Sequence, residues 1–262
     1  MPVPDSFAWR QTPAGPALVC LPLERYAAHL FTTRQWPLGS ARDAERASGW
    51  ADVARALDVD AAHLTRAHQV HGAATIVRRA GDTVADADAL PQADIIISND
   101  RDRALAIQTA DCVPLLIADP ASGAVAAAHA GWRGLAAGVP GETVAALVRE
   151  FGSAPADLVA AIGPSISAER YEVGAEVRAT FEAAGFPPAQ LERWFLPGAR
   201  PEHWQFDGWR VAQDQLEAAG VTPVHIHLSA QCTAVSPDLF CSYRRDGQGA
   251  GRIAAAIRML RR

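Results

Sequence analysis

Lysine is absent from this chain. All 24 basic side chains are arginine, set against 29 acidic ones, which leaves a net charge of −5 at pH 7. Schiff-base chemistry on a lysine amine and a Walker-type phosphate loop are thereby excluded. Any anion has to be held by guanidinium groups or by backbone N–H groups. The acidic balance also lacks the dense basic surface that nucleic acid and anionic membranes reward, so neither is expected as a partner. Cysteine is scarce: Cys20, Cys112, Cys232 and Cys241 are widely scattered, without the spacing of a disulfide framework or a short metal finger. The opening MPVPDSFAWR shows no basic-then-apolar leader, and with the cysteine usage this gives the expectation of a reduced, cytoplasmic setting. Long apolar runs are missing as well. The longest, ALAIQTADCVPLLIAD, is broken by Asp111 and falls short of the roughly 18–20 residues that cross a bilayer.

What is present suits a globular enzyme-sized unit. The 262 residues, 49% of them hydrophobic, are enough to bury a sizeable core. Short runs rich in Val, Ile and Ala, bounded by Gly, Pro or Asp, predict strands at Ala73–Val77, Ile95–Ser98, Leu105–Gln108, Val113–Ala118, Val125–His129, Val159–Ile162 and His225–Leu228. Helix patterns fall at Asp52–Leu57, Gly141–Phe151, Ala175–Ala184 and Trp209–Ala219, and the C-terminal Arg252–Leu260 reads as a basic amphipathic helix packed by its apolar face. Strands come in pairs as well as alternating with helices, so a single α+β domain over 1–262 with mixed β-sheets is expected. The proline-rich segment Gly185–Trp209 is the expected long excursion, lying inside the pattern and dividing no two balanced halves.

Three stretches carry the chemistry: HQVHG (68–72), TADCVPLL (109–116) and AAAHAGWRG (126–134). Asp111 and Cys112 sit between two apolar strands, at a break that exposes side chains. An all-small strand delivers His129 at its end, where the following GWRG permits a tight turn. One Cys and two His make a three-ligand set that suits Zn²⁺ and leaves a fourth position open. The same atoms also make a thiolate–imidazolium pair for acyl or amide chemistry, and a cysteine between apolar strands is often just a small hydrophobe. Residue types alone leave these readings open, along with which histidine of HQVHG takes part; His68 is a neighbour that orients or is simply exposed.

Arg34 in LFTTR, Arg133 in GWRG, and Arg244 and Arg245 in CSYRRDG stand among small, aromatic or polar residues, where a guanidinium can fork onto phosphate or carboxylate. RRDG reads equally as a turn. His225 and His227 share a strand face, but without a third ligand they read as structural.

HQVHG, TADCVPLLIAD, AAHAGWRG, IGPSISAERYEVG and CTAVSPDLFCSYRRDG, in this order, resemble the YfiH/YlmD family, also known as laccase-domain or polyphenol-oxidase-type proteins. The match runs from about residue 29 to the C-terminus. The resemblance implies a four-layer α/β/β/α sandwich and a Zn²⁺ site made by His71, Cys112 and His129, with Cu²⁺ as the alternative metal. It implies catalytic roles at those residues and at Asp111, and it places Tyr171 of the fourth motif with Arg34, Arg133 and Arg244 on the substrate and phosphate side. The activity implied is phosphorolysis of adenosine, inosine, guanosine or methylthioadenosine to base and ribose 1-phosphate, together with adenosine deamination. Alternatives are a copper-dependent polyphenol oxidase, a cytoplasmic muropeptide amide hydrolase and a non-catalytic metal-binding protein. The expected partners are a nucleoside and phosphate, on a monomer or weak homodimer. This chain departs from the family pattern in TTRQWPLGSARD, where a Gly-Gly-Val-Ser stretch is usual, at Cys241, where an aromatic is common, and at Ser165, where a Cys is frequent.

Overall fold

The structure, a computed structural model, describes residues 3–39, 47–82 and 90–261. In chain order the strands are β1 (Phe7–Thr12), β2 (Gly15–Cys20), β3 (Ala27–Thr32), β4 (Leu64–Thr65), β5 (Thr75–Arg78), β6 (Ile95–Ser98), β7 (Ala104–Thr109), β8 (Val113–Ala118), β9 (Val125–Ala130), β10 (Val159–Ile162), β11 (Glu172–Gly174), β12 (Phe195–Pro197), β13 (His203–Phe206), β14 (Ile226–Leu228) and β15 (Ile253–Met259). The helices are α1 (Leu21–Glu24), α2 (Ala47–Ala56), α3 (Trp132–Ala136), α4 (Val139–Phe151), α5 (Ala175–Ala183), α6 (Pro188–Trp194), α7 (Gly208–Ala218) and α8 (Tyr243–Asp246).

Two six-stranded sheets form the body. The first runs β1-β2-β3-β15-β7-β4 and the second β14-β10-β8-β9-β6-β5, while β11-β13-β12 is a separate three-stranded ribbon. Both large sheets are mixed: β4 joins β7 in parallel, and β5–β6 and β10–β14 are parallel pairs among antiparallel neighbours.

The period of two along each strand sorts the side chains into layers. Leu105, Ile107, Ala255 and Ile257 of the first sheet share one buried cluster with Ile96, Leu116, Val125 and Ala127 of the second, so the two sheets pack face to face. The opposite face of the second sheet, through Leu115, Ile117, Ala126 and Ala128, packs on Val144 and Leu147 of α4, Phe181 of α5, Trp194 of α6 and Leu216 of α7. On the far side of the first sheet, Ala104, Ala106, Ala254 and Ala256 are covered by Val53 and Ala54 of α2, with Leu57 and Trp36. The result is a four-layer α/β/β/α sandwich in one α+β domain, as the resemblance implies. Among the described residues no helix is long and apolar enough to cross a membrane.

Three expectations need correction. The C-terminal segment is not a helix: Ile253–Met259 is β15, buried along its whole length between β3 and β7. A strand covered on both faces reads as a continuous apolar run, and here alanine fills positions where helices and a second sheet approach closely, so burial overrides its helix propensity. Arg258 inside it is buried, with its guanidinium donating to the carbonyls of Leu57 and Arg101. The excursion Gly185–Trp209 carries regular elements of its own, α6, β12 and β13. Finally, β1, β2 and β3, which the sequence pattern did not single out, build half of the first sheet.

Close approach of the two sheets is visible at Gly163, just past β10. A Cβ there would lie 2.2 Å from the ring of Phe31 on β3, so the ring occupies the space a side chain would need. Gly163→Ala is expected to destabilise the protein by about 1–3 kcal/mol through overpacking, read as a lower urea midpoint with an unchanged slope. An unchanged midpoint would mean that Phe31 has room to swing aside.

Candidate metal centre and the cavity beside it

Three chain segments converge at one end of the second sheet. After β7 the chain leaves the first sheet through Ala110, Asp111 and Cys112 and enters β8 of the second, so Cys112 stands just before the start of β8. Across the β8–β9 register Val113 faces Ala130 and Pro114 faces His129, which brings His129 to the same end of the sheet. The HQVHG loop is fixed from both sides. Gln69 donates its side-chain amide to the Gln108 carbonyl and accepts from the Gln108 N–H, each at 2.8 Å, which ties the loop to β7.

His71, Cys112 and His129 meet there. Their ligand atoms lie within 4.8 Å of one another, and the two imidazoles stand edge to face with centroids 4.9 Å apart. Two backbone features make the approach feasible. His71 takes a left-handed φ of 61°, which turns the loop sharply. Gly131 leaves open the space that a Cβ would fill, 2.9 Å from the Cys112 sulfur and 3.1 Å from the His71 ring.

The electrostatics are those of a thiolate between imidazoles. Burial pushes the Cys112 thiol up, but the charge and hydrogen bond of His129, aided by His71, override it and bring the thiol down to about 6. Burial pushes His129 down, and the Cys112 thiolate together with the Asp94 carboxylate overcome this and raise it to about 9. A soft sulfur with two borderline nitrogens, converging on one point with an open outer side, is a donor set that fits a tetrahedral transition-metal ion. Among the described residues it is the one group of three or more His, Cys, Asp or Glu that can do so.

Sequence reasoning missed Asp94. It is fully buried; one oxygen accepts from Nδ1 of His129 at 2.8 Å and from the His71 backbone N–H at 3.0 Å. The other accepts from the N–H groups of Gly72 at 2.8 Å and Val70 at 3.2 Å. Burial pushes the Asp94 carboxyl up, yet these donors hold it below the usual carboxylate range. A signal existed: an aspartate opening the wholly apolar run IIIS has to find donors inside the core.

Asp111 stands at the turn between β7 and β8. Its φ is 84°, and its carboxylate accepts from the hydroxyls of Thr233 and Ser242 and from the Arg244 N–H. It pins the CSYRRDG loop against the strand end. His68 is exposed and pairs through its backbone with Pro91 and Ala93. His225 meets the Ala156 carbonyl and gains no third partner for a metal.

Next to the centre lies a cavity of about 530 Å³, lined by Trp132, Arg133, Tyr171, Glu172, Glu176 and Arg244 among others. The Arg133 guanidinium stacks over Trp132 at 4.1 Å and that of Arg244 over Tyr171 at 4.9 Å. Among the described residues no carboxylate pairs with either, although Arg244 donates to the Glu172 carbonyl. Burial, reinforced by the nearby Cys112 thiolate, pushes the Tyr171 phenol up, so it stays a neutral donor. The structure thus brings Arg133, Arg244 and Tyr171 together. Arg34 is elsewhere: its N–H bonds to Leu239 and its guanidinium to the Pro237 carbonyl. Arg245 is committed to Asp246 and to the carbonyls of Thr233 and Phe240.

Comparison with known proteins gives the family. The family model described as multi-copper polyphenol oxidoreductase laccase matches residues 42–260. The chain belongs to that family. It is 39% identical over 164 residues to a purine nucleoside phosphorylase of Bacteroides thetaiotaomicron, an alignment that takes in 63% of this chain and 60% of that one. With a purine nucleoside phosphorylase of Deinococcus radiodurans it shares 38% identity over 212 residues, 81% of this chain and 76% of the relative. Its fold is similar to the crystal structure of Bacillus licheniformis hypothetical protein YfiH, with a TM-score of 0.84 at 27% identity over 96% of this chain and 99% of that one. The resemblance carried by the five motifs therefore holds.

Two outcomes test this geometry. In metal-free protein, alkylation of Cys112 by iodoacetamide should reach its plateau as pH rises through about 6, because the thiolate is the reactive form and the neighbouring imidazolium favours it; an inflection near the ordinary thiol value of about 8.5 would contradict the pairing. His71→Ala should abolish retention of a bound divalent metal while His68→Ala keeps it, as metal analysis of the purified variants would show. The reverse pattern would exchange the two roles.

Proposed function

We propose that the protein is a zinc-dependent purine nucleoside enzyme that cleaves the glycosidic bond with phosphate and also deaminates adenosine. The observation that supports this best is the His71–Cys112–His129 cluster beside a cavity whose two arginines have no carboxylate partner among the described residues. The names of the relatives point the same way.

In this reading His71, Cys112 and His129 hold the metal, which when bound supplies Lewis acidity next to the cavity. Arg133 and Arg244 fork onto phosphate, and their stacking on Trp132 and Tyr171 keeps both guanidinium planes pre-oriented at little entropic cost. Phosphate attack at the anomeric carbon breaks the bond to the base and develops charge on ribose and departing nitrogen. The Tyr171 phenol, neutral and turned to the cavity, donates a hydrogen bond as that charge appears. A volume of about 530 Å³ lies within the range of small-molecule sites. Asp111 serves by holding the loop that carries Arg244, and not as an acid. The family description favours copper oxidation as the second reading, but four-electron reduction of dioxygen needs several coppers, and the described residues gather one three-ligand cluster.

The test is incubation of the zinc-loaded protein with adenosine, with and without phosphate, followed by chromatography. Adenine and ribose 1-phosphate should appear only with phosphate, and inosine in either case; inertness toward adenosine, inosine and guanosine would sink the reading. Arg133→Lys should lower phosphorolysis about 10–100-fold, the cost of losing a charged forked hydrogen bond, and spare deamination. A parallel loss of both activities would make Arg133 structural.

A further inference from the structure

Asp94 is the group through which the two imidazoles are tied together, and we infer that it is the positioning residue that presets both histidines for the metal. The inference rests on the metal-centre reading above. A carboxylate only accepts, so Nδ1 of His129 must carry the hydrogen in their 2.8 Å contact. With that hydrogen held at Nδ1, the proton the imidazolium gives up to a metal is the one on Nε2, which is then free to ligate. The same carboxylate receives the N–H groups of Val70, His71 and Gly72, and so holds the left-handed turn from which the His71 ring projects. Asp94 is fully buried and His129 nearly so, which keeps water from substituting for any of these partners. The His129 N–H also bonds to the Asp94 carbonyl at 2.8 Å, so β6 and β9 hold the pair rigidly.

Asparagine has nearly the same shape and cannot do the same work. With its amide NH₂ turned to the second oxygen's place, it meets the Val70 and Gly72 donors. Turned the other way, it meets the His71 N–H and forces His129 to accept at Nδ1, which moves the hydrogen to Nε2, the nitrogen that has to ligate. Either orientation sets donor against donor. Both weaken the site without removing a ligand.

The experiment uses the full chain, wild type and Asp94→Asn, with Cys112→Ser as the reference for a lost ligand. Zinc affinity is read by competition with a chromophoric chelator, and thermal melting of the metal-free forms reports folding. Asp94→Asn is expected to bind zinc about 10–100-fold more weakly than wild type while its metal-free form melts as a folded protein. Equal zinc affinity in wild type and Asp94→Asn overturns the inference and leaves the metal centre standing; a wild type that takes up no zinc overturns both. A second measurement stands even if the variant fails to fold. In side-chain ¹⁵N–¹H correlation spectra of zinc-loaded wild type, His129 should show a protonated Nδ1 and a bare Nε2. The opposite tautomer would mean that Asp94 does not set the ring.

Discussion

The site depends on a three-residue crossing. Ala110, Asp111 and Cys112 carry the chain from β7 in one sheet to β8 in the other, across a gap that face-to-face sheets keep at about 10 Å. So short a path requires an abrupt change of direction, and Asp111 provides it with a φ of 84°. For a residue with a side chain such a backbone costs on the order of 1–3 kcal/mol. It is offset by the hydrogen bonds that the carboxylate accepts from Thr233, Ser242 and Arg244. The strained residue therefore does two things at once: it delivers Cys112 to the end of the second sheet, and it anchors the loop bearing Arg244.

A related economy holds on the other side of the centre. His129 and Arg133 are separated only by Ala130, Gly131 and Trp132, and Gly131 is the position where a side chain would collide with Cys112 and His71. The proposed metal ligand His129 and the proposed anion-binding Arg133 are thus coupled through one tight turn, as Cys112 and Arg244 are coupled through Asp111. Two buried carboxylates divide the work, Asp94 holding the imidazoles and Asp111 the loop. Without lysine, positive charge near the cavity comes from planar guanidinium groups laid on aromatic faces, where their direction is defined as well as their sign.

Much of this was legible because the sequence signals were local. Apolar runs such as IIIS, VPLLIA and VAAI gave β6, β8 and β10 with their bounds, and HQVHG, ADC and HAGWRG supplied the cluster that the fold assembles. What was hidden depended on neighbours distant in sequence. IAAAIRM reads as a helix in isolation and becomes a strand because it fills the middle of a sheet buried on both faces. Asp94 looked like an ordinary aspartate before a strand, since its donors come from residues 70–72 and 129 and exist only once those segments meet. Arg34 stood out by its surroundings in sequence, but its guanidinium bonds the Pro237 carbonyl and it is not among the residues lining the cavity.

The same contrast explains how one family fold carries both an oxidase description and relatives named for phosphorolysis. A fold supplies layers and strand ends, and the chemistry is decided by which side chains stand at one of those ends. Here that end combines, among the described residues, one three-ligand cluster with a mixed-charge cavity of about 530 Å³. Electron transfer to dioxygen would make no use of two arginines stacked on rings and, among the described residues, ion-paired with no carboxylate. Displacement by a phosphate would, because both guanidiniums then gain the anion that the protein itself withholds.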